Sequence, residues 1–429
     1  MSKVVGTLRR EPGTARRRGR EVSWRTRART RLTTAGVILA SVVLPVTNAT
    51  PATAADGGTY AYVANFDSNS VSVIDTKTNQ ITDTITDDIG PSPNDVAMTP
   101  DGKRAYVPNL NDNTVSVIDT SDNSVDNITD DIGINPTEAA VTPNGDFVYV
   151  TNQGDSSVSV IDTSDNTVSD TITVGIGAAP IGVVVNPLLP RAYVASVGDD
   201  DVNVIDTAAN PPAVIGTITQ AEGLGVGRSG LAVNPTGTRL YAANFTSDTV
   251  SVIDTATNLV IDTITAGEGI GLDPTEAAVT PDGTRLYVAN SSSTFMSVID
   301  TATNLGTDTV TTGTGNSNVA VNPAGTFVYV SDGSTVSAIS TVTNTVAETF
   351  TVGTTPHGLA VGAVPGTGTV PCPGGQVVTG GGAEITGPEP SNFVSKPADE
   401  PDNAWEVSLT NPTNQDITIR PYALCSDPT

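Results

Sequence analysis

Between Asn94 and Asp130 the chain reads "NDVAMTPDGKRAYVPNLNDNTVSVIDTSDNSVDNITD". "DVAMT" is a short apolar strand, "PDG" turns it, "RAYVPN" is a second strand and "NDN" a loop. "TVSVIDT" makes a third strand, and "SDN" turns into a fourth, "SVDNIT". Runs of Val, Ile, Thr and Tyr broken by Pro, Asp, Asn and Gly are the signature of successive hairpins. The third strand is apolar at both parities, with Val115 and Val117 on one side and Ile118 on the other. Both of its faces should therefore be covered, as in sheets stacked one against the next.

The same phrase returns along the chain. "YVAN" at Tyr62 is followed by close copies at Tyr106, Tyr149, Tyr193, Tyr241, Tyr287 and Tyr329, spaced 44, 43, 44, 48, 46 and 42 residues apart. Repeats of that length match one four-stranded propeller blade each. The first copy lacks the leading strand, starting at "TYAYVAN" (Thr59), whereas an orphan leading strand, "PHGLAVG" (Pro356 to Gly362), follows the seventh copy. The sequence thus predicts an all-β chain, a seven-bladed β-propeller closed by a C-terminal strand that completes blade one and leaves no sheet edge open.

With "YV[AT]N", "VSVIDT" and "PDG" or "PNG" in seven places over residues 59–362, the chain resembles the YVTN-type β-propeller repeat family of bacterial and archaeal surface layers and exported fractions. The resemblance implies the ring and an extracellular setting. It implies function only loosely, because similar rings serve as binding proteins, lactonases, lyases and redox subunits. Blade seven departs from the pattern at "SAIST" (Ser337 to Thr341), and blade four at "NPLLPRAYVAS" (Asn186 to Ser196). After Val370 the rhythm stops, and the stretch from Cys372 to Cys425 resembles a small Cys-bracketed β module at the ends of exported bacterial proteins. The expected organisation is a secretory signal over residues 1–54, the propeller over 55–366 and a small disulfide-closed β domain over 367–429.

The signal reading rests on an Arg-rich stretch (Arg9 to Arg31), an apolar run "AGVILASVVLPV" too short to span a bilayer, and Ala52 and Ala54 in A-x-A spacing. An exported chain whose two cysteines, Cys372 and Cys425, lie together near the C-terminus suggests one disulfide between them. The product is expected to be secreted or held noncovalently at the cell surface, as a monomer with no transmembrane segment once the signal is gone. Residues 1–54 hold 11 of the 20 Lys and Arg but two of the 46 acids, leaving 9 basic against 44 acidic residues beyond them, a charge near −35. Such a surface repels phosphate backbones and excludes nucleic acid as a partner.

The repeated Asp of "VIDT" (Asp75, Asp119, Asp162, Asp206, Asp254, Asp300) reads as a turn-setter, because a catalytic group would not recur around a ring. The Asn of "YVAN" reads likewise as satisfying backbone groups at strand ends. Function should sit where the copies disagree, at the start of each innermost strand: "PND", "PTE", "PIG", "RSG", "PTE", "NSN" and "PHG". These segments surround one mouth of the central channel, and the candidate ligand site there is Asn94, Asp95, Glu138, Arg228, Ser229, Glu276, Asn318 and His357. No residue is assigned as catalytic. His357 is the chain's one histidine, which rules out a multi-histidine metal site. No cofactor is implied, although the acidic groups Asp87–Asp88, Asp130–Asp131 and Asp199–Asp201 raise Ca²⁺ as a candidate without a complete ligand loop. The reading preferred from sequence is an exported binding protein for a protein, glycan or small molecule. The alternative is a lactonase- or lyase-like enzyme at the same mouth, with His357 as general base and Arg228 stabilising an anion.

Overall fold

The computed structural model describes residues 58–371 except 314, together with 377–386, 392–397, 404–410 and 418–426. Side chains are described as far as Pro365, with those of Arg228 and Ser229 excepted. The expected signal region and Cys372 lie outside the described residues, as does the Cys425 side chain, and so does the disulfide expected between the two cysteines.

Seven antiparallel sheets form the ring, and each follows the strand order read from the repeat. Blade two has Ala97–Met98, Arg104–Asn109, Thr114–Asp119 and Val125–Ile128 from the channel outward. Blade one is built from both ends of the ring. Gly58–Asn65 pairs with Ser70–Asp75 on its outer side and with the long strand Pro356–Pro371 on its inner side, in the register Thr59↔Ala363, Tyr62↔Ala360 and Val63↔Leu359. Closure therefore falls where the orphan "PHGLAVG" placed it.

Packing follows from the pattern of each third strand, which is buried along nearly its whole length in every blade. The core lies between blades: Tyr62, Ala64, Val71 and Val73 of blade one meet Ala105, Val107 and Ile118 of blade two, and each later interface repeats the arrangement. The seven repeat tyrosines are the largest fully buried side chains. The hydroxyls of Tyr62, Tyr106 and Tyr287 also tie blades together, which offsets the cost of burying a phenol. Tyr106 donates to Asn166 Oδ1 of the next blade at 2.8 Å, and Tyr62 and Tyr287 do the same to Asn123 and Asn344 at 3.0 and 2.9 Å.

Those asparagines sit in the left-handed region at the turns after the third strand, with φ of +60° at Asn123, +55° at Asn166 and +51° at Asn344. The "VIDT" aspartates set these turns as expected: Asp75 Oδ1 accepts from Lys77 N at 2.8 Å, and Asp254 and Asp300 each accept from two backbone N–H groups. The "YVAN" asparagines meet the sequence reading in part: Asn290 Nδ2 donates to the Val288 and Phe295 carbonyls at 3.2 and 3.1 Å, whereas the amides of Asn65 and Asn152 bind hydroxyls of the adjoining strand. Asn65 Nδ2 donates to Ser70 Oγ and Ser72 Oγ at 3.1 and 3.0 Å, and Asn152 repeats this with Ser157 and Ser159. Arginines at the start of the second strand add a further tie between blades, Arg239 Nη1 donating to the Thr301 carbonyl at 2.5 Å.

Past Val364 the closing strand continues without a break through residues 365–371 and pairs there with Ala404–Thr410, which in turn pairs with Asn392–Pro397. A separate hairpin joins Val377–Thr386 to Thr418–Ser426. The small C-terminal β module thus extends the blade-one sheet to six strands.

Candidate functional site

Each innermost strand begins at the channel mouth with three residues, and their second and third side chains play different parts. At second positions Asn94, Thr137, Thr275 and Ser317 lace neighbouring blades together. Ser317 Oγ donates to the Pro356 carbonyl at 3.0 Å, Asn94 Nδ2 to the Thr137 carbonyl at 2.9 Å, and Thr275 Oγ1 to the Asn316 carbonyl at 3.0 Å. Thr137 Oγ1 reaches the Ile181 carbonyl at 3.2 Å and Thr151 Oγ1 at 2.9 Å. Short polar side chains are needed because each must satisfy a carbonyl that the ring turns away from any ladder.

The third positions run around the ring as Gly358, Asp95, Glu138, Gly182, Gly230, Glu276 and Asn318. Every acid therefore has a glycine next to it in the ring or close across the sheet contact. A Cβ on Gly358 would lie 2.3 Å from Asp95 Oδ1 and 2.8 Å from the Asn94 carbonyl oxygen, and one on Gly230 would lie 2.5 Å from the Glu276 carboxylate. The glycines clear the space the carboxyls occupy. Gly358→Ala should consequently displace Asp95 and the Gly358 N–H to Asn94 carbonyl bond of 2.9 Å, lowering stability by about 1–3 kcal/mol as an overpacked site does. Urea titration of the two proteins measures it, and an unchanged midpoint would show that the clearance is not needed.

Asp95 is 8% exposed, and Glu138 and Glu276 are half-buried. Asp95 Oδ2 accepts from Ala139 N at 3.1 Å, Glu138 Oε2 from Val183 N at 3.0 Å, and Glu276 Oε1 from Ala277 N at 3.0 Å. Backbone bonds, to Ala139 and Val96 for Asp95, to Ala277 and Leu231 for Glu276 and to Val183 for Glu138, do not offset the loss of water. Burial pushes Asp95 up to about 7 and Glu276 up to about 8, and it raises Glu138 well above the usual carboxylate range with the charges of Glu276 and Asp95 adding to the effect. At neutral pH Glu138 and Glu276 are biased toward the protonated form and can donate hydrogen bonds, while Asp95 shares its proton with solvent about equally.

His357 stands beside Asp95 on the closing strand. Its ring stacks on Phe66 with centroids 4.9 Å apart and an interplanar angle of 26°, and its Nδ1 lies 3.0 Å from Asn94 Oδ1. Ser331 Oγ donates to its backbone carbonyl at 2.9 Å. Burial lowers the imidazole's pKa below its usual value, with the Asp67 carboxylate opposing, so the ring is neutral at pH 7.

A cavity of about 450 Å³ opens here, and it brings together Asn94, Asp95, Glu138, Glu276, Asn318 and His357 of the residues singled out from sequence. Arg228 and Ser229 share the mouth by their backbone, in the strand Arg228–Val233. Sequence reasoning missed the rim, formed by Leu110, Gln153, Phe245 and Ser291. Each of these is the residue directly after the "YVAN"-type phrase of its blade, so the signal was present in the one repeat column that changes freely from Phe to Leu, Gln and Ser. Of the acidic residues weighed for Ca²⁺, Asp199 and Asp200 tie separate loops together: Asp199 Oδ2 accepts from Ala178 N at 2.7 Å and Asp200 Oδ1 from Gly227 N at 2.8 Å. Among the described residues no group of three or more His, Cys, Asp or Glu is placed to hold a metal ion.

A family model described as "Lactonase, 7-bladed beta-propeller" matches residues 56–307. The chain belongs to the seven-bladed β-propeller lactonase family. Asn318 and His357 lie beyond the matched stretch, so their roles rest on their own geometry. No curated protein matches the chain. Among solved structures, a functionally unknown protein from Desulfotomaculum acetoxidans is 16% identical over 71% of this chain and 99% of its own, with a TM-score of 0.61. A dihydro-heme d1 dehydrogenase, NirN, solved in complex with DHE, is 16% identical over 72% of this chain, with a TM-score of 0.50, and the chain spans 65% of its length. Hydrazine synthase from Kuenenia stuttgartiensis is 23% identical over 58% of this chain and 76% of its own, with a TM-score of 0.49. At these identities the likeness is one of fold. Membership of the lactonase family favours the enzymatic alternative over the binding role preferred from sequence.

Proposed function

We propose that the protein is an exported enzyme that hydrolyses a lactone at the channel mouth. The observation that carries this reading is a neutral, fixed imidazole facing the same cavity as carboxyls that burial keeps protonated. A base and acids whose environments push their pKa values into complementary ranges are what acyl transfer to water needs. His357 Nε2 takes a proton from water as its oxygen bonds to the lactone carbonyl carbon. The carbonyl π pair moves onto an oxygen that accepts a hydrogen bond from a protonated carboxyl of Glu276 or Glu138. Collapse of the adduct breaks the ring C–O bond, and the imidazolium returns its proton to the departing alkoxide, leaving the hydroxy acid. The apolar rim residues Leu110 and Phe245 would cover the body of the substrate. The YVTN-like phrases and the signal-like N-terminus support an extracellular or cell-surface setting for this chemistry, with the protein acting as a monomer.

Purified protein tested on a panel of five- and six-membered lactones should give turnover with a bell-shaped pH dependence. The rising limb lies below the ordinary histidine value because burial lowers the His357 pKa. The falling limb lies between about 7 and about 8, where Asp95 and Glu276 lose their protons, as apparent values that belong to the coupled set. Binding of lactones without turnover would return the protein to a binding role, and a rate that keeps rising through pH 9 would remove the carboxyls from the mechanism.

A further inference from the structure

We propose that Asn94 is a positioning residue that fixes the tautomer of His357, leaving Nε2 as the bare nitrogen. The inference deepens the hydrolase reading, and it stands on a chain of hydrogen bonds whose direction has one solution. The carbonyl of Thr137 accepts, so the group 2.9 Å from it must be the Asn94 amide nitrogen. The amide oxygen then faces His357, and at 3.0 Å from an acceptor the imidazole Nδ1 must carry the proton. A neutral ring with Nδ1–H has its lone pair on Nε2.

The residues that impose this order come from three blades. Thr137 belongs to blade three, Asn94 to blade two, and His357 to the strand that closes blade one. Thr137 is itself held, its hydroxyl 2.9 Å from Thr151 Oγ1, whose own oxygen lies 2.9 Å from the Ile181 carbonyl of blade four. The ring cannot turn over to exchange its nitrogens, because Phe66 stacks on its face and Phe66 N is tied to the Thr355 carbonyl at 2.9 Å. The charged or titratable neighbours are Asp67 in the loop of blade one, Asp95 just before the innermost strand of blade two, and Glu138 and Glu276 around the cavity. The acceptor at Nδ1 is the Asn94 amide and not one of these carboxyls, and it stays neutral at every pH. The base is thereby oriented without being charged, as a carboxylate in the same place would charge it.

Because His357 is the only histidine, imidazole ¹⁵N resonances report on this network alone. In the wild-type protein at pH 8 the spectrum should show a protonated Nδ1 and an unprotonated Nε2. Asn94→Leu, of similar size but without the acceptor, should release the ring to a mixture dominated by Nε2–H. Its kcat should fall roughly a hundredfold, the scale of a misplaced catalytic group, with KM little changed. Asn94→Asp keeps an acceptor opposite Nδ1 and should retain the tautomer while raising the imidazole pKa, moving the rising limb of the pH profile upward. A wild-type spectrum with Nε2 protonated would overturn the proposal whatever the variants do, as would an unchanged tautomer in Asn94→Leu. Absence of turnover with the tautomer as assigned would count against the hydrolase reading and leave the role of Asn94 standing.

Discussion

His357→Ala should lower kcat/KM for the best lactone by roughly 10²–10⁴-fold, the range general-base catalysis contributes. Loss on that scale is expected because no second histidine exists to take over the proton. Of the nearest titratable groups, Glu276 is raised to about 8 and stays mostly protonated at neutral pH, and Asp95 is tied to the Ala139 N–H, so neither is a ready substitute. The fold should survive the change. What disappears is a ring stack on Phe66 and a single hydrogen bond to Asn94, together about 1–3 kcal/mol by the usual worth of such contacts. His357→Gln separates the two effects, since its amide can still donate to Asn94 but has no basic nitrogen. Steady-state kinetics at pH 7.5 and a thermal melt of each variant make the comparison. Activity within a few-fold of wild type in either variant would place the base elsewhere in the cavity.

How much of this could be read from residues alone differs between scaffold and site. Tyr106, "VIDT" and "PDG" recur because every blade solves the same packing problem, so the sheet order, the closing strand and the turn role of the aspartates were legible. The site was legible as a set of positions, since the repeat shows where copies differ and a ring brings those columns together. The connections within it were not. Asn94 and His357 are 263 residues apart in sequence and meet only because the chain ends close the ring. Gly230 and Gly358 looked like gaps in the polar ring, and only their distances to Glu276 and Asp95 reveal them as the room those carboxyls need. The raised pKa values were likewise out of reach, because an Asp or Glu in a column of loop starts reads as solvated until its burial is known. The hydroxyl partners of the "YVAN" asparagines were missed for a related reason: both faces of the next strand were expected to be covered, but which of its side chains meet the amide, Ser70 and Ser72 for Asn65, depends on the register between strands.

The buried carboxyls also determine how stability should depend on pH. Asp95 and Glu276, raised to about 7 and about 8 in the folded protein, would titrate near 4 when unfolded. Between those limits the folded state binds protons that the unfolded chain has released, so ν_U − ν_N is negative and stability falls as pH rises. Their contribution is fully present below about pH 4 and is lost as pH climbs through 7 and 8. For Asp95 alone the shift from 3.8 to about 7 corresponds to roughly 4 kcal/mol as an upper bound. Surface carboxylates with lowered values, such as Asp162 and Asp300, act in the opposite sense and only toward acid pH, where they protonate, and solvent screens them. General repulsion from a formal net charge of −26 also grows with pH, so the wild-type trend by itself does not isolate the trio. Glu276→Gln does. Its amide keeps an oxygen for Ala277 N–H, and it removes the ionisation that the buried site resists while changing the net charge at pH 9 by one. Urea unfolding at pH 5, 7 and 9 should show stability declining by several kcal/mol in the wild type and by clearly less in Glu276→Gln. Parallel declines in the two proteins would mean that Glu276 ionises in the folded state as easily as in water. The same result would remove Glu276 as the donor to the lactone carbonyl and leave Glu138 to fill that place, because the proton Glu276 would donate is the one that sets its share of the stability slope.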